Sequence, residues 1–386
     1  MSADGIRTAD VVVVGAGTVG AMALWHLSRE TGTRVVGIEQ YGRAHGRGSF
    51  AGESRLFRVA YKEGDVYVPL LREARRLWHE LQDEAARSLF LPVGALSIGA
   101  PDQPEMQATL ATIASHDLPH RVLDQHDLRE AFPPHAPREG DIGILDTQGG
   151  GLRPEASVLG ALDLAERAGV DMLYHCPVLD IEVQRGGVVV RTAQGAISAG
   201  VVVIAAGSWA SELVPALAEL VSVRQLALTW FMPRDIGAYE PERFPVFMRD
   251  IGTAHVFGAP SLDGYSVKVS PGHDGMAQGR RVSDLPTTLS SRQLRLLGLR
   301  IREFFPDMNP EPVRFSSHHD AYTEDRVPII DRSADGRVVM VTGLSGHGFK
   351  FAPVFGRLVR DLVVDGRSAD LPPSFSLAEH LTRRAG

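Results

Sequence analysis

Cysteine is almost missing from this sequence: Cys176 is the single one in 386 residues. Its isolation excludes an intrachain disulfide and any cysteine-based metal site, and it makes a reducing cytoplasm the expected setting. Lysine is nearly as scarce. Of the 40 basic residues only Lys62, Lys268 and Lys350 are lysines, so arginine serves almost wherever a surface cation is needed. A lysine that survives such a bias offers what arginine does not, a compact and titratable ammonium group. Lys62, in "YKEGD", reads instead as part of a solvated turn. Long apolar runs are lacking too. None approaches the roughly 20 residues of a membrane span, and the opening "MSADGIRTAD" has no charged-then-apolar order of a secretion signal. Acidic residues exceed Lys plus Arg by 47 to 40, a formal charge of −7, which argues against a general nucleic-acid binder.

What the chain does have is length for two cores and a strong opening pattern. "DVVVVGAGTVGAMALWHLSRETGTRVVGIEQ" reads as strand, tight turn, helix, strand. The β-branched run Val11 to Val14 suits a central parallel strand. Gly15, Gly17 and Gly20 fit G-x-G-x-x-G, and Glu39 closes the second strand. Glycines let the backbone approach a pyrophosphate at a helix N-terminus, and the acid accepts the ribose hydroxyls, which disfavours a 2′-phosphate and hence NADP. "YVPLLREARRLWHELQDEA" and "ASVLGALDLAERAGV" read as helices, and 91–146 as irregular and proline-rich. "AGVVVIAAGSWA" and "RVVMVTGLSGHGFKFAPVFGRLVRDLVV" are further strands ending in glycine turns, while aromatic and polar alternation dominates from Gln225 to His319. The expected fold is α/β (α+β, two domains). A Rossmann-type FAD-binding domain is discontinuous over 1–90, 147–224 and 323–386, and a mainly antiparallel-sheet substrate domain is inserted as 91–146 and 225–322. A nicotinamide dehydrogenase would more often keep its binding unit contiguous.

The C-terminal "TGLSGHGFKF" holds three glycines, a histidine and a lysine after a strand, yet it is not a P-loop: Lys350 follows Phe349, and no Ser or Thr comes after it. Together with "GSFAGESRLFRVAYKEGDVYVPL", "CPV" at Cys176–Val178, "AAGSW" at Ala205–Trp209, "SVKVS" around Lys268 and "DRVPIID" before Asp331, it resembles the monomeric sarcosine oxidase and N-methyltryptophan oxidase family through nearly the whole chain. The resemblance implies an FAD-dependent oxidase of a secondary amino acid, giving an imine and hydrogen peroxide. Its partners would be a small amino-acid substrate and oxygen, with no nucleic acid and no membrane, and a monomer is favoured. The open alternatives are a flavin dehydrogenase using another electron acceptor and a non-catalytic flavin-binding protein.

The same resemblance assigns roles. Arg55 would lie against the flavin, together with Ser49, Val178, Gly207, Trp209 and Gly343. Arg58 and Lys350 would converge on the substrate carboxylate, a fixed anchor that orients the neighbouring C–N bond. Gly346 and Gly348 would bring backbone amides to the electron-rich edge of the isoalloxazine, with His347 beside it. Lys268 would sit over the flavin face and activate oxygen, and His273 matches an active-site histidine, displaced by one residue. Trp230 is a candidate aromatic wall. In the family FAD is held covalently by a cysteine; counting back from Asp331 puts His318 there, so a dissociable FAD is expected, with attachment to His318 or His319 as the alternative. Asp320 replaces an aromatic residue of the family's substrate pocket.

Overall fold

A computed structural model describes residues 7–250, 254–272 and 275–385; His273 lies outside them. The strand Arg7–Val14 is the middle of five parallel strands, in the order Asp171–Leu173, Val35–Ile38, Arg7–Val14, Gly195–Ile204, Val338–Thr342. Val11 to Val14 are all buried, as a strand covered on both faces requires. Register sets Val14 level with Ile38 and Ile204, and Ile204 level with Met340. The strands therefore end along one edge of the sheet, and the glycine turns after Val14, Ile204 and Thr342 open side by side there. That edge, at the carboxyl ends of parallel strands, is where such sheets bind ligands. Antiparallel ribbons extend the sheet: Gly187–Thr192 and Val178–Gln184 on one part of Gly195–Ile204, and Ile329–Arg332 beside Val338–Thr342.

Two helices from opposite ends of the chain cover one face. Thr18–Leu27 follows the first glycine turn, and Ala352–Val364 follows the last. They pack directly on each other. At Gly356 a Cβ would sit 2.6 Å from the Met22 Cβ and backbone carbon, so only glycine permits this approach. Tyr67–Ala85 and Pro154–Arg167 complete the layer, as their apolar periodicity predicts.

A second, nine-stranded sheet draws its strands from Ala95–Asp146 and Ser222–Tyr322. It is antiparallel except where Val246–Asp250 runs alongside Ala95–Gly99. Its core packs Leu96, Phe231, Phe244, Phe247 and Phe304. Contrary to the irregular reading of 91–146, this stretch forms strands Ala95–Gly99, His120–Leu123 and Ile142–Asp146 and helices Pro104–His116 and Gln125–Ala131. The longer helix escapes detection because its buried face is Met106, Thr109, Thr112 and Ile113, half of it threonine, which leaves no apolar stripe to read.

The helix contact yields a stability prediction. Gly356→Ala places a methyl against Met22 and should cost about 1–3 kcal/mol, the usual range for overpacking. Denaturant unfolding of the variant beside Gly186→Ala, where a Cβ meets nothing within 4 Å and the backbone is not left-handed, checks it; equal losses at both sites would remove the close approach as the cause.

Candidate active site

A cavity of about 360 Å³ lies along the carboxyl edge of the parallel sheet. At one end are Gly15 and Gly17. Gly15 has φ +91, and a Cβ there would meet the Ala205 carbonyl oxygen at 2.6 Å. Gly20 stands back from the cavity, where a Cβ would be 1.8 Å from the Gly15 oxygen, so this third glycine serves helix–strand packing. Glu39 is fixed at the wall: its Oε2 accepts the Ala16 N–H at 3.0 Å, its Oε1 the Tyr41 N–H at 2.9 Å, and His45 Nε2 lies 3.3 Å away. Burial pushes the Glu39 carboxyl upward, but the His45 contact and the two backbone N–H groups outweigh it and hold the acid below its usual range.

Ser49, Val178, Gly207, Trp209 and Gly343 line the cavity, and buried Cys176 lies with them. Arg55 does not. Its Nη2 donates to the carbonyls of Ser49 and Ala51, each at 2.6 Å, and its Nη1 to that of Ser54 at 2.7 Å. It folds the loop that roofs the cavity. Glu155, at the start of the helix Pro154–Arg167, accepts the N–H groups of Gly52 at 2.6 Å and Glu53 at 3.2 Å and holds the same loop from the other side.

The two histidines expected near the flavin divide. His318 is turned inward, Nδ1 3.2 Å from the Gly48 oxygen and Nε2 2.8 Å from Ser316 Oγ, and it does not line the cavity. His319 does, set edge-on against Trp209 with ring centroids 4.7 Å apart, and its buried Nδ1 has no partner among the described residues. The C-terminal loop also departs from expectation. The Gly346 N–H donates to Asp320 Oδ2 at 2.8 Å. At Gly348 a Cβ would meet Leu344 at 2.4 Å, so both glycines shape the loop rather than line the cavity.

A second constellation surrounds Tyr61. Arg58 and Lys350 are 5% and 7% exposed, and both lie against the Tyr61 ring, at 4.9 and 5.1 Å from its centroid. Arg58 Nη2 is 3.2 Å from both oxygens of Glu63, while its buried Nη1 has no partner among the described residues. Burial opposes the Glu63 charge, but Arg58 and then Lys350 hold its carboxyl below the usual range. Lys350 Nζ donates to the His347 carbonyl at 2.8 Å, and burial, then Arg58, lower its pKa to about 7. His347 is spent inside the protein. Its Nε2 lies 2.9 Å from the Arg326 carbonyl, which only accepts, so Nε2 carries the proton and Nδ1 accepts from Tyr61 Oη at 2.7 Å. His347 therefore has no free ring nitrogen to offer a flavin, and it does not line the cavity.

Lys268, 3% exposed, donates from Nζ to the carbonyls of Gly52 at 2.9 Å and Ser54 at 2.7 Å. Its ammonium is 5.6 Å from the Trp230 ring centroid, and Trp230 Nε1 donates to Glu53 at 2.6 Å. Burial first, and Arg55 second, push its pKa well down. Tyr61, Glu63 and Glu155 escaped the sequence reading. Glu63 lay in the "YKEGD" taken for a solvated turn, whereas Lys62 is half-buried, 4.0 Å from Glu105.

Parallel strands ending at glycine turns, an acid closing the second strand and an unpartnered imidazole nitrogen on the wall define a dinucleotide site fit for FAD. The chain belongs to the FAD-dependent oxidoreductase family, whose model matches residues 10–362. It is 33% identical over 368 residues to a monomeric sarcosine oxidase of Streptomyces avermitilis, covering 94% of this chain and 95% of that protein. It is 30% identical to an N-methyl-L-tryptophan oxidase of Yersinia pestis, covering 96% and 98%. The structure of NikD, an unusual amino acid oxidase, superposes with a TM-score of 0.85 at 25% identity, covering 96% and 97%. The glycine oxidase of Geobacillus kaustophilus shares the fold, with a TM-score of 0.81 at 21% identity, covering 96% and 98%. The protein is an FAD-dependent amine or amino-acid oxidoreductase. Among the described residues no helix is long and apolar enough to cross a membrane.

Glu39 tests the cavity's polarity. Glu39→Ala should raise the FAD dissociation constant by about ten- to a hundredfold, the worth of a hydrogen bond to a charged group, as measured by flavin fluorescence on titration of apoprotein. An unchanged constant would detach Glu39 from the cofactor.

Proposed function

We propose that the protein oxidises a secondary amino acid (N-methyl, N-alkyl or cyclic) to an imine, passes the electrons to oxygen as hydrogen peroxide, and holds FAD without a covalent bond. The observation that carries this reading is the pair of buried cations at Tyr61, with an Arg58 nitrogen left unpartnered. A buried guanidinium donor without an acceptor is costly, and a substrate carboxylate supplies the acceptor. Arg58 then exchanges Glu63 for the ligand, and Lys350 regains its full charge beside it. Held by two cations, the carboxylate fixes where the adjacent carbon points. Bound FAD supplies the two-electron acceptor for that carbon. His347 and Tyr61 keep the anchor in place and offer no free base, which suits an amine bound unprotonated.

Lys268 supports the oxidase reading over a dehydrogenase. Its ammonium is buried, two of its hydrogens are committed to carbonyls, and burial and then Arg55 disfavour its charge despite Glu53 and Glu155. Negative charge developing on oxygen favours the ammonium form. With His318 engaged on both nitrogens and Cys176 at the sheet edge, nothing at the family's attachment position favours a covalent bond. The same reading assigns 91–146 and 225–322 to the part of the chain that covers the substrate, and the nine-stranded sheet supports it.

The anchor makes binding pH-dependent. The free-state pKa of Lys350, about 7, rises when a carboxylate arrives, so a ligand selects the protonated form. Affinity for acetate, read from the flavin spectrum, should be full below about 7 and fall by up to about tenfold per pH unit above it. Lys350→Met should bind weakly at every pH and lose this slope. A wild-type affinity that stays level through the same range would remove Lys350 from the anchor.

Lys268→Met keeps stem length and deletes the charge. Anaerobic reduction by substrate should stay within about tenfold of wild type, about 1.4 kcal/mol. Reoxidation by oxygen should slow by two to three orders of magnitude, roughly 3–4 kcal/mol. Stopped-flow measurement of each half-reaction separates the two; unchanged reoxidation would favour a dehydrogenase using another acceptor.

A further inference from the structure

Asp320 is a buried carboxyl on the cavity wall that forms no ion pair with any described residue. It ends the run His318–His319–Asp320 on the strand Arg314–Tyr322, next to the loop Gly343–Gly348. Its partners are two backbone N–H groups, Ala321 on Oδ1 and Gly346 on Oδ2, both at 2.8 Å. Burial raises its pKa to about 6 against the pull of those two N–H groups and of Arg55.

None of the charged groups around it is paired with it among the described residues, although Arg224 keeps a buried, unpartnered Nε. Arg55 spends its guanidinium on the carbonyls of Ser49, Ala51 and Ser54. Arg224, its register partner on the strand Ser222–Phe231, lies over the Tyr322 ring at 4.6 Å. His318 and His319 are held neutral, burial taking each down to about 4. From the glycine loop, His347 faces Tyr61, and Lys350 donates to the His347 carbonyl. Glu39 with His45, and exposed Glu212, line other parts of the cavity. Burial of the carboxyl thus works against two backbone N–H groups and Arg55, and no cation is paired with it among the described residues.

Its place matters because of Gly346. The Gly346 N–H, which the family resemblance would give to a reduced cofactor, is committed here to an acid. If that acid stays ionised, a flavin gaining electrons faces a buried anion across a medium of low dielectric. Protonation removes the repulsion and turns an acceptor into a donor.

We propose that Asp320 takes up a proton when the bound flavin is reduced. Two electrons and one proton go to the flavin, as hydride from the amine or as electrons from a chemical reductant with a proton from water. A second proton passes from water to an Asp320 carboxylate oxygen, and no other bond changes. The inference rests on FAD occupying the cavity but on no particular substrate.

The test is a spectroelectrochemical titration of the FAD-loaded protein, with no amine present, at pH values on both sides of 6. For a two-electron couple each proton taken up contributes about 30 mV per pH unit. In wild type the midpoint potential should fall by about 30 mV per pH unit below pH 6 and by about 60 mV per pH unit above it. In Asp320→Asn, which mimics the protonated acid, the slope should stay near 30 mV throughout, leaving the variant with the higher potential at alkaline pH. Equal slopes for both proteins overturn the proposal. If the variant does not fold, the wild type decides alone: a single unbroken slope overturns the proposal. A steepening slope, with a protonated-carboxyl band gained in the reduced-minus-oxidised infrared spectrum, supports it. A purified protein that is colourless and takes up no flavin fails earlier, on its absorption spectrum, and brings down the FAD reading and this inference together.

Discussion

The loop from Gly48 to Arg55 is partly buried and has almost no regular structure, so side chains satisfy many of the hydrogen-bonding groups of its backbone. That requirement organises the site. Arg55 covers the carbonyls of Ser49, Ala51 and Ser54. Lys268 takes those of Gly52 and Ser54 from the second sheet. Glu155 accepts the N–H groups of Gly52 and Glu53 from a helix of the first layer, and His318 meets the Gly48 carbonyl. The roof of the cofactor cavity is thus tied by charged groups from separate elements. A group that supports the roof, such as Lys268, is thereby also brought to the place where chemistry is proposed.

The scarcity of lysine acquires a physical meaning in this setting. Lys268 and Lys350 are both buried, and for both burial is the main force lowering the pKa. Arginine in either place would stay charged under all conditions and spread its donors over a fork. An ammonium whose charge is marginal in the resting site responds to an arriving anion, a carboxylate at Lys350 and charge developing on oxygen at Lys268. Asp320 is the acidic counterpart, a carboxyl held near neutrality by the same desolvation.

Legibility in the sequence followed the range of the interactions. Gly15, Gly17, Gly20 and Glu39 were readable because backbone constraints within one strand–turn–helix–strand unit impose them. The layered α/β architecture was readable from runs such as Val11 to Val14. Val178, Gly207, Trp209 and Gly343, brought to the cavity wall, came from resemblance rather than from any local rule. Arg55 as a loop brace and Glu155 as its counterpart were not legible, since Glu155 meets Gly52 across more than a hundred residues of chain. His347 was a site candidate through the family resemblance. Only the positions of Tyr61 and the Arg326 carbonyl reveal that both its nitrogens are used. The helix Pro104–His116 stayed hidden because two of its four buried residues are threonines.

The contact between Gly356 and Met22 joins the first cofactor-facing helix to the last. During synthesis the central strand Arg7–Val14 emerges early, yet its neighbour Gly195–Ile204, and beyond that Val338–Thr342, come far later. At 5–20 residues per second the first strand waits roughly 20 to 70 seconds before the other glycine loop exists. For that interval the glycine turn after Val14 has its neighbour Val35–Ile38 but not the loop that closes the other side of the cavity. The cofactor site is therefore among the last features of the nascent chain to form. A chain that stops before Val338–Thr342 lacks one wall of the cavity, and one that stops before Ala352–Val364 lacks the helix that packs on Thr18–Leu27.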